Sequence, residues 1–249
     1  GREGPLELSF AQQRLWFLHQ LDPDSPSYNL TDVLAIHGEL DVAVLGRVLD
    51  EIVRRHETLR TVFREADGVP VQVILPGLRV ELPGEDLRGW PEEERHGRMV
   101  EAAVRTSRLP FDLAAGPLMR ALLLRMEDEK HVLVLTMHHI VTDGWSSGVF
   151  FREMSALYDA FLRGDGSPLP ELEVQYADFA AWQRAWLSGA TLEAELAWWR
   201  ERLAGAPATL ELPTDRPRPS VQGHEGATLH RMLPRERWER VEAQALAQR

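Results

Sequence analysis

Two strongly apolar runs, Leu118 to Met126 and His131 to His138, are separated only by the acidic turn Glu127-Asp128-Glu129. Strands this apolar, with little polar alternation, are of the kind buried on both faces, so the chain must supply other layers to cover them. The remaining sequence supplies helical patterns between strand patterns, and that interleaving predicts an α/β layer structure. At 249 residues the chain is long enough for one large domain or one and a half ordinary ones. An apolar share of 44% and a charged share of 27% place it with ordinary globular proteins that build a core without disulfides or metals.

Local signals divide the chain further. Ser9 with Gln12 three residues on forms a capping box, and Ala11, Leu15, Leu18 and Leu21 then recur at helical spacing until Asp22-Pro23. Tyr28 to His37 reads as a strand. Asp41 caps a second helix with Leu45, Val48, Leu49, Ile52 and Val53 on one stripe. Thr58 to Arg64 and Val69 to Leu75 read as a hairpin closed by Asp67-Gly68. Pro91 opens a third helix running to about Thr106, and Ser146 to Leu162 is helical by pattern. Gly164 to Pro170 is a breaker-rich linker. Two helical stretches follow, Tyr176 to Leu187 and Thr191 to Leu203, whose Trp182, Trp186, Trp198 and Trp199 suit core or lobe-interface packing. Beyond the breaker-rich segment Pro207 to Pro219, a short strand is expected near Thr228 to Leu233, then an uncapped helix from Pro234 to Arg249. Residues 1–172 thus read as one lobe, and 173–249 as a linker and the opening of a second, incomplete one.

Composition excludes several functions. The chain has no cysteine, which removes disulfide frameworks, thiolate metal sites and cysteine nucleophiles. Its net charge of −11 argues against a nucleic-acid partner. Lys130 is the only lysine and follows no glycine-rich loop, so no P-loop is present. No run reaches the roughly 18 apolar residues of a membrane span. No apolar segment suited to a signal peptide follows Gly1-Arg2-Glu3-Gly4-Pro5, and a cytoplasmic setting is the simplest expectation. The acidic runs Glu92-Glu93-Glu94 and Glu127-Asp128-Glu129 read as solvated faces.

The chemistry concentrates where the second apolar strand ends, in His138-His139-Ile-Val-Thr-Asp143-Gly144-Trp145-Ser146. Adjacent strand residues point to opposite faces, so one histidine faces a cleft and the other the layer behind it. Such a pair does not readily chelate one metal ion. A neutral histidine at a strand end suits general-base work, its ordinary pKa being about 6.5. Gly144, lacking a Cβ, admits close approach of a reactant or backbone. The same residues fit a rival pattern: Gly144-Trp-Ser146-Ser-Gly148 matches the serine-hydrolase elbow, with His224 or His230 as base and Asp178 or Asp215 behind it. Ile140 to Asp143 stand between the strand and that serine, where an elbow needs the serine at the strand end.

H-H-x-x-x-D-G followed by Trp145-Ser146 resembles the signature of the condensation domains of nonribosomal peptide synthetases. Three further stretches resemble that family's motifs in the right order: Leu8 to Leu18 the first, Arg55 to Phe63 the second, and Tyr176 to Gln183 the fourth. The resemblance implies a chloramphenicol acetyltransferase-like two-layer α/β sandwich, here one complete lobe and a truncated second, with the active site in a tunnel between lobes. It implies peptide-bond formation between a donor acyl or peptidyl thioester and the amine of an acceptor aminoacyl thioester. Both ride on phosphopantetheine arms of donor and acceptor carrier proteins, beside an adenylation domain, and no cofactor or metal is bound by the chain itself. His139 matches the catalytic histidine. His138 and Asp143 match supporting residues, Arg60 matches an arginine that pairs with that aspartate, and Gly144 matches the small residue beside the reacting centre. Trp145 and Ser146 are tunnel candidates.

Epimerisation relatives usually lack the Gly-Trp-Ser arrangement, and heterocyclisation relatives carry aspartate for the first histidine. The chain shows neither departure and reads as a peptide-bond-forming type. Alternatives of other classes are a serine esterase or thioesterase using Ser146, a same-fold acyltransferase with a small-molecule acceptor, and a non-catalytic half-domain that binds carrier proteins. A chain of this length is expected to be inactive alone. Its exposed second-lobe surface is expected to dimerise, or the region after about Leu172 to be partly disordered. His19, His37, His56, His96 and His131 carry no functional expectation.

Overall fold

A computed structural model describes residues 5–217, 229 and 231–247. They fall into two compact units, Gly1–Ala208 and Thr209–Arg249. The first unit runs β1 (Leu6–Glu7), α1 (Phe10–Leu21), β2 (Asn29–His37), α2 (Val42–Arg55), a 3-10 turn (Glu57–Arg60), β3 (Thr61–Ala66), β4 (Val69–Ile74) and β5 (Gly84–Asp86). It continues with α3 (Glu92–Arg108), β6 (Met119–Glu127), β7 (Lys130–His138), α4 (Gly144–Leu162), α5 (Tyr176–Trp186) and α6 (Gly189–Arg202).

The central sheet has the order β2-β7-β6-β5. β7 is antiparallel to both neighbours, and the short β5 runs parallel to β6. Leu133, Leu135 and Met137 of β7 face one core, shared with Val48, Leu49 and Ile52 of α2 and Phe150, Met154 and Leu157 of α4. Val132 and Val134 face the other, with Leu122 and Leu124 of β6 and Ala102 of α3. This is the α/β sandwich expected from the sequence: α2 and α4 form the helical layer, and α3 closes the far face. Both faces of β7 are dry, which is why its sequence carries no polar alternation. Each such side chain contributes about 1.5–3 kcal/mol by leaving water.

Local chemistry sets the ends of these elements. Ser9 and Gln12 form the capping box of α1, and Asp41 accepts the Val44 N–H at 2.9 Å to start α2. β3 and β4 turn at Asp67 and Gly68, whose φ values of 52° and 78° suit the primed turn that matches strand twist. That hairpin forms a second, three-stranded sheet with β1.

The structure departs from expectation in four places. β3 starts at Thr61 because Glu57–Arg60 is coiled as a 3-10 turn, with the Thr61 hydroxyl donating to the Glu57 carbonyl at 2.7 Å. The two- and three-residue strands β1 and β5 have no pattern to announce them. Of the core or lobe-interface packing expected for Trp182 and Trp186 on α5 and Trp198 and Trp199 on α6, the core half does not hold, each being about half exposed. Thr228 and His230 lie outside the described residues, and Leu229 and Arg231 to Leu233 show no strand.

After Leu172 the first unit adds two helices, α5 and α6. α5 is tied to the start of the chain: Arg184 donates to the Leu8 carbonyl at 2.7 Å, the Phe10 N–H donates to Gln183 at 3.0 Å, and the Tyr176 and Ser9 hydroxyls lie 3.1 Å apart. Its outer face is a ladder of rings, Tyr176, Phe179, Trp182 and Trp186, ending in two indoles stacked 5.6 Å apart at 5°. The second unit contains α7 (Arg235–Ala247), within the helix expected from Pro234. Among the described residues no helix is long and apolar enough to cross a membrane.

Candidate active site

The loop between β7 and α4 carries the predicted residues, and strand alternation gives its two histidines different surroundings. His138 ends β7, its backbone N–H donating to the Leu118 carbonyl at 3.0 Å. It is 4% exposed, and its ring sits among those of His19, Tyr28 and Phe111 at centroid distances of 6.2–6.4 Å. Its Nδ1 accepts the Ile140 N–H at 3.1 Å, so in the neutral ring Nε2 carries the proton. Burial, reinforced by His19 and His139, pushes its pKa down to about 4. A neutral His138 therefore acts as a fixed acceptor that turns the chain around His139.

His139 begins that loop. Its backbone N–H donates to the Tyr28 carbonyl at 2.8 Å, and its Nδ1 lies 2.7 Å from the Thr142 carbonyl. A carbonyl only accepts, so Nδ1 holds the hydrogen and Nε2 is left with its lone pair. The ring is partly exposed, in contrast to that of His138. The backbone thus fixes the tautomer a proton acceptor needs.

Asp143 is the N-cap of α4. Its Oδ1 accepts the Ser146 N–H at 2.8 Å and the Ser146 hydroxyl at 2.6 Å. Those two hydrogen bonds hold its pKa below the ordinary carboxylate value. The expected Arg60–Asp143 ion pair is not formed. Arg60 ends the 3-10 turn, donating to the Leu75 carbonyl at the end of the β3–β4 hairpin and to Glu57 at 3.3 Å. Asp143 is turned toward the α4 N-terminus, where the helix dipole also favours a carboxylate. Arg60 therefore braces the hairpin and leaves the loop to its own cap.

Gly144 is the first residue of α4, and a methyl group placed on it would meet no atom within 4 Å. This chain's own packing does not require glycine there, and the space beside it is open. Ser147, one turn in, donates to Asp32 of β2 at 2.9 Å and anchors the helix start to the sheet, a tie with no local sequence signal. The hydrolase reading fails at Ser146, whose hydroxyl hydrogen is committed to Asp143 and not to a histidine. Its candidate bases His224 and His230 lie outside the described residues, Asp178 joins the capping box of α5, and Asp215 belongs to the second unit.

Trp145, 84% exposed, and Ser146 line a mostly apolar cavity of about 340 Å³, together with Thr142, Met137, Phe150 and Phe179. His56 lines it too, which sequence reasoning missed although His56 lies in a family motif. Its Nε2 is 2.8 Å from Glu153 Oε2, and the buried Arg55 donates to the same carboxylate at 3.3 and 3.4 Å. Burial alone would raise the Glu153 pKa, but the hydrogen bonds from Arg55 and His56 outweigh it and hold the group ionised. A larger cavity, about 1010 Å³, lies at the opposite end of β7 around His131 and Arg125, away from His139. Among the described residues no group of three histidine or acidic side chains could hold a metal ion.

Comparison with known proteins identifies the family and the fold. A family model described as "Condensation domain" matches residues 2–249. The chain is 47% identical over 229 residues to malpibaldin synthetase of Mortierella alpina, covering 92% of this chain and 4% of that protein. It is 45% identical over 234 residues to phosphinothricin tripeptide synthetase PhsC of Streptomyces viridochromogenes, covering 94% of this chain and 22% of that one. Among solved structures, the X-domain in complex with OxyB from teicoplanin biosynthesis superposes with a TM-score of 0.78 at 30% identity, over 89% of this chain and 48% of that chain. The first condensation domain of the calcium-dependent antibiotic synthetase, in complex with substrate analogue 2a, superposes with a TM-score of 0.75 at 28% identity, over 82% and 48%. The chain thus spans about half of those solved chains and a small part of the synthetases.

Proposed function

The chain belongs to the condensation-domain family of nonribosomal peptide synthetases, and from that premise we propose that it forms a peptide bond between a donor acyl or peptidyl thioester and the amine of an acceptor aminoacyl thioester. The observation that carries the reading is the Nδ1 hydrogen bond of His139 to Thr142, which leaves Nε2 as an acceptor at a partly exposed position. An α-amino group has an ordinary pKa of about 7.7–8.0 and is largely protonated near neutral pH. The acceptor reacts as the free amine, its extra proton having passed to solvent; His139 Nε2 accepts a hydrogen bond from that amine, which orients the nitrogen, and takes one proton from it as the C–N bond forms. The C–N bond forms at the thioester carbonyl carbon, the C–S bond breaks, and the proton passes to the departing thiolate.

The other residues support this step. His138 and Asp143 shape the loop from either side of His139, and Gly144 keeps the approach open. Trp145 and Ser146 stand at the wall the substrates pass. The thioesters are carried on phosphopantetheine arms of donor and acceptor carrier proteins, with an adenylation domain as neighbour. No cofactor bound by the chain, no nucleic acid and no membrane enters the reaction, and the setting is cytoplasmic. Because the chain spans about half of the solved chains, a site that needs both lobes is inactive in this length alone.

Single-turnover condensation with both thioesters loaded on carrier proteins tests the proposal. It compares a complete two-lobed form, its His139→Ala variant and the 249-residue chain. Product from the complete form, lost on His139→Ala and absent with the short chain, supports the assignment. Full activity of His139→Ala would refute the catalytic role, and turnover by the short chain would refute the need for a second lobe.

A further inference from the structure

We propose that Asn29 is a positioning residue for the condensation step: its side chain pins the first residue of β2 and, through the Tyr28 carbonyl, holds the backbone of His139 in register. The inference rests on the proposed condensation activity and adds a residue to the machinery of that same site.

The need for a pin follows from the topology. β7 delivers His139, and on one side its neighbour is β2, which among the described residues is the edge of the sheet. Successive backbone groups turn to opposite neighbours. The His138 N–H donates to the Leu118 carbonyl on the β6 side, and the His139 N–H turns the other way, to the Tyr28 carbonyl at 2.8 Å. The paired register ends at Asn29 and His138, so this bond lies one step beyond it, at the end of an edge strand, where fraying begins. Opening it would free the His139 backbone even with the ring still bonded to Thr142. A displacement of about 1 Å at a reacting group can cost a hundredfold in rate.

Asn29 closes that weak point. Its peptide bond with Tyr28 is planar, so fixing Asn29 fixes the direction of the Tyr28 carbonyl. The Asn29 backbone N–H donates to the Pro26 carbonyl at 2.9 Å, and Nδ2 donates to the carbonyls of Ser107 at 2.7 Å and Leu109 at 2.9 Å. Carbonyls only accept, so the pair calls for two hydrogens that an amide nitrogen supplies and an isosteric carboxylate does not. Ser107 and Leu109 stand at the end of α3, where a helix leaves its carbonyls without internal partners. Leu109 is also held from β6: Arg120 donates to its carbonyl at 2.7 Å and stacks 3.6 Å over Phe111, whose ring meets that of His138. The pin is thus anchored in the sheet as well as in the helix end. A cap of α3 would contribute stability alone, whereas a pin on the Tyr28–Asn29 peptide also governs His139.

The test reads amide hydrogen exchange beside single-turnover condensation in the complete two-lobed protein. Asn29→Ala is expected to speed exchange of the His139 amide by about tenfold or more while leaving that of Leu133 unchanged. It is also expected to cut the rate at saturating carrier-bound substrate by about tenfold, with half-saturation close to that of the parent. Asn29→Asp, which keeps the shape and loses both donors, should fall at least as far. Asp41→Ala removes the cap of α2 and weakens the fold elsewhere, so it should change neither readout. A His139 amide that exchanges in the unmodified protein as fast as an unbonded one would overturn the proposal without any variant. So would parent-like turnover by Asn29→Ala, or an equal fall with Asp41→Ala. Failure of both Asn29 variants to fold would assign the residue to stability and overturn the positioning role. Absence of product from the unmodified protein with every substrate would instead overturn the condensation reading, and this inference with it.

Discussion

Acid should loosen this fold through one residue. His138 is buried with its Nδ1 accepting the Ile140 N–H, and protonation would turn a donor against that donor inside a pocket of aromatic rings. Its pKa is about 4 in the folded chain against an unfolded value of 6.5. A cationic group whose folded pKa is depressed contributes stability that is complete above 6.5 and disappears as pH falls toward 4. Between pH 7.5 and pH 5.0 the two values correspond to a loss of about 2 kcal/mol, a sizeable part of the roughly 5–15 kcal/mol that holds a domain. The assay is urea unfolding followed by far-ultraviolet circular dichroism at those two pH values. The comparison is His138→Asn, whose Oδ1 can still accept from Ile140 but does not titrate. His19, also depressed by burial although Asp112 and Asp24 pull it back, contributes to both proteins and cancels. The variant should lose about 2 kcal/mol less than the parent. An equal loss in both would refute the assignment of acid sensitivity to His138.

Three further outcomes follow from the loop and its supports. Gly144→Ala meets open space, so the melting temperature should hold or rise slightly through better helix propensity, while single-turnover condensation by a two-lobed form should fall. Asp143→Ala should cost about 1 kcal/mol of stability through loss of the α4 cap, whereas Asp143→Asn should retain most of it, because no Arg60 ion pair depends on the charge. Glu153→Ala leaves the buried Arg55 without its carboxylate and should destabilise by about 3 kcal/mol, measured by the same urea titration.

Much of this architecture was legible because its causes are local. A capping box needs only Ser9 and Gln12, a primed turn only Asp67 and Gly68, and a strand dry on both faces writes its burial into Leu133 to Met137. The unreadable parts depend on distant partners. β5 is a strand only because Gly84 to Asp86 pair with β6, some forty residues later. His56 becomes a cavity wall only when the end of α2 meets Glu153, 97 residues on. Arg60 shows the converse limit. Its place in the second motif implied a partner, yet backbone geometry at the 3-10 turn brings the Leu75 carbonyl nearer than Asp143. Within the site itself, sequence located His139 but not its tautomer, which is set by the loop's path back to Thr142.

The ring ladder on α5 has an optical consequence. Of the eight tryptophans all but Trp16 are at least two-fifths exposed, so indole emission from the folded chain should lie close to that of water-bathed indole and change little on unfolding. Tryptophan fluorescence is therefore a poor gauge of folding here. It is a sensitive gauge of coverage: anything that settles on the stacked pair Trp182 and Trp186 removes water from both indoles at once and should move the emission to shorter wavelength without a label.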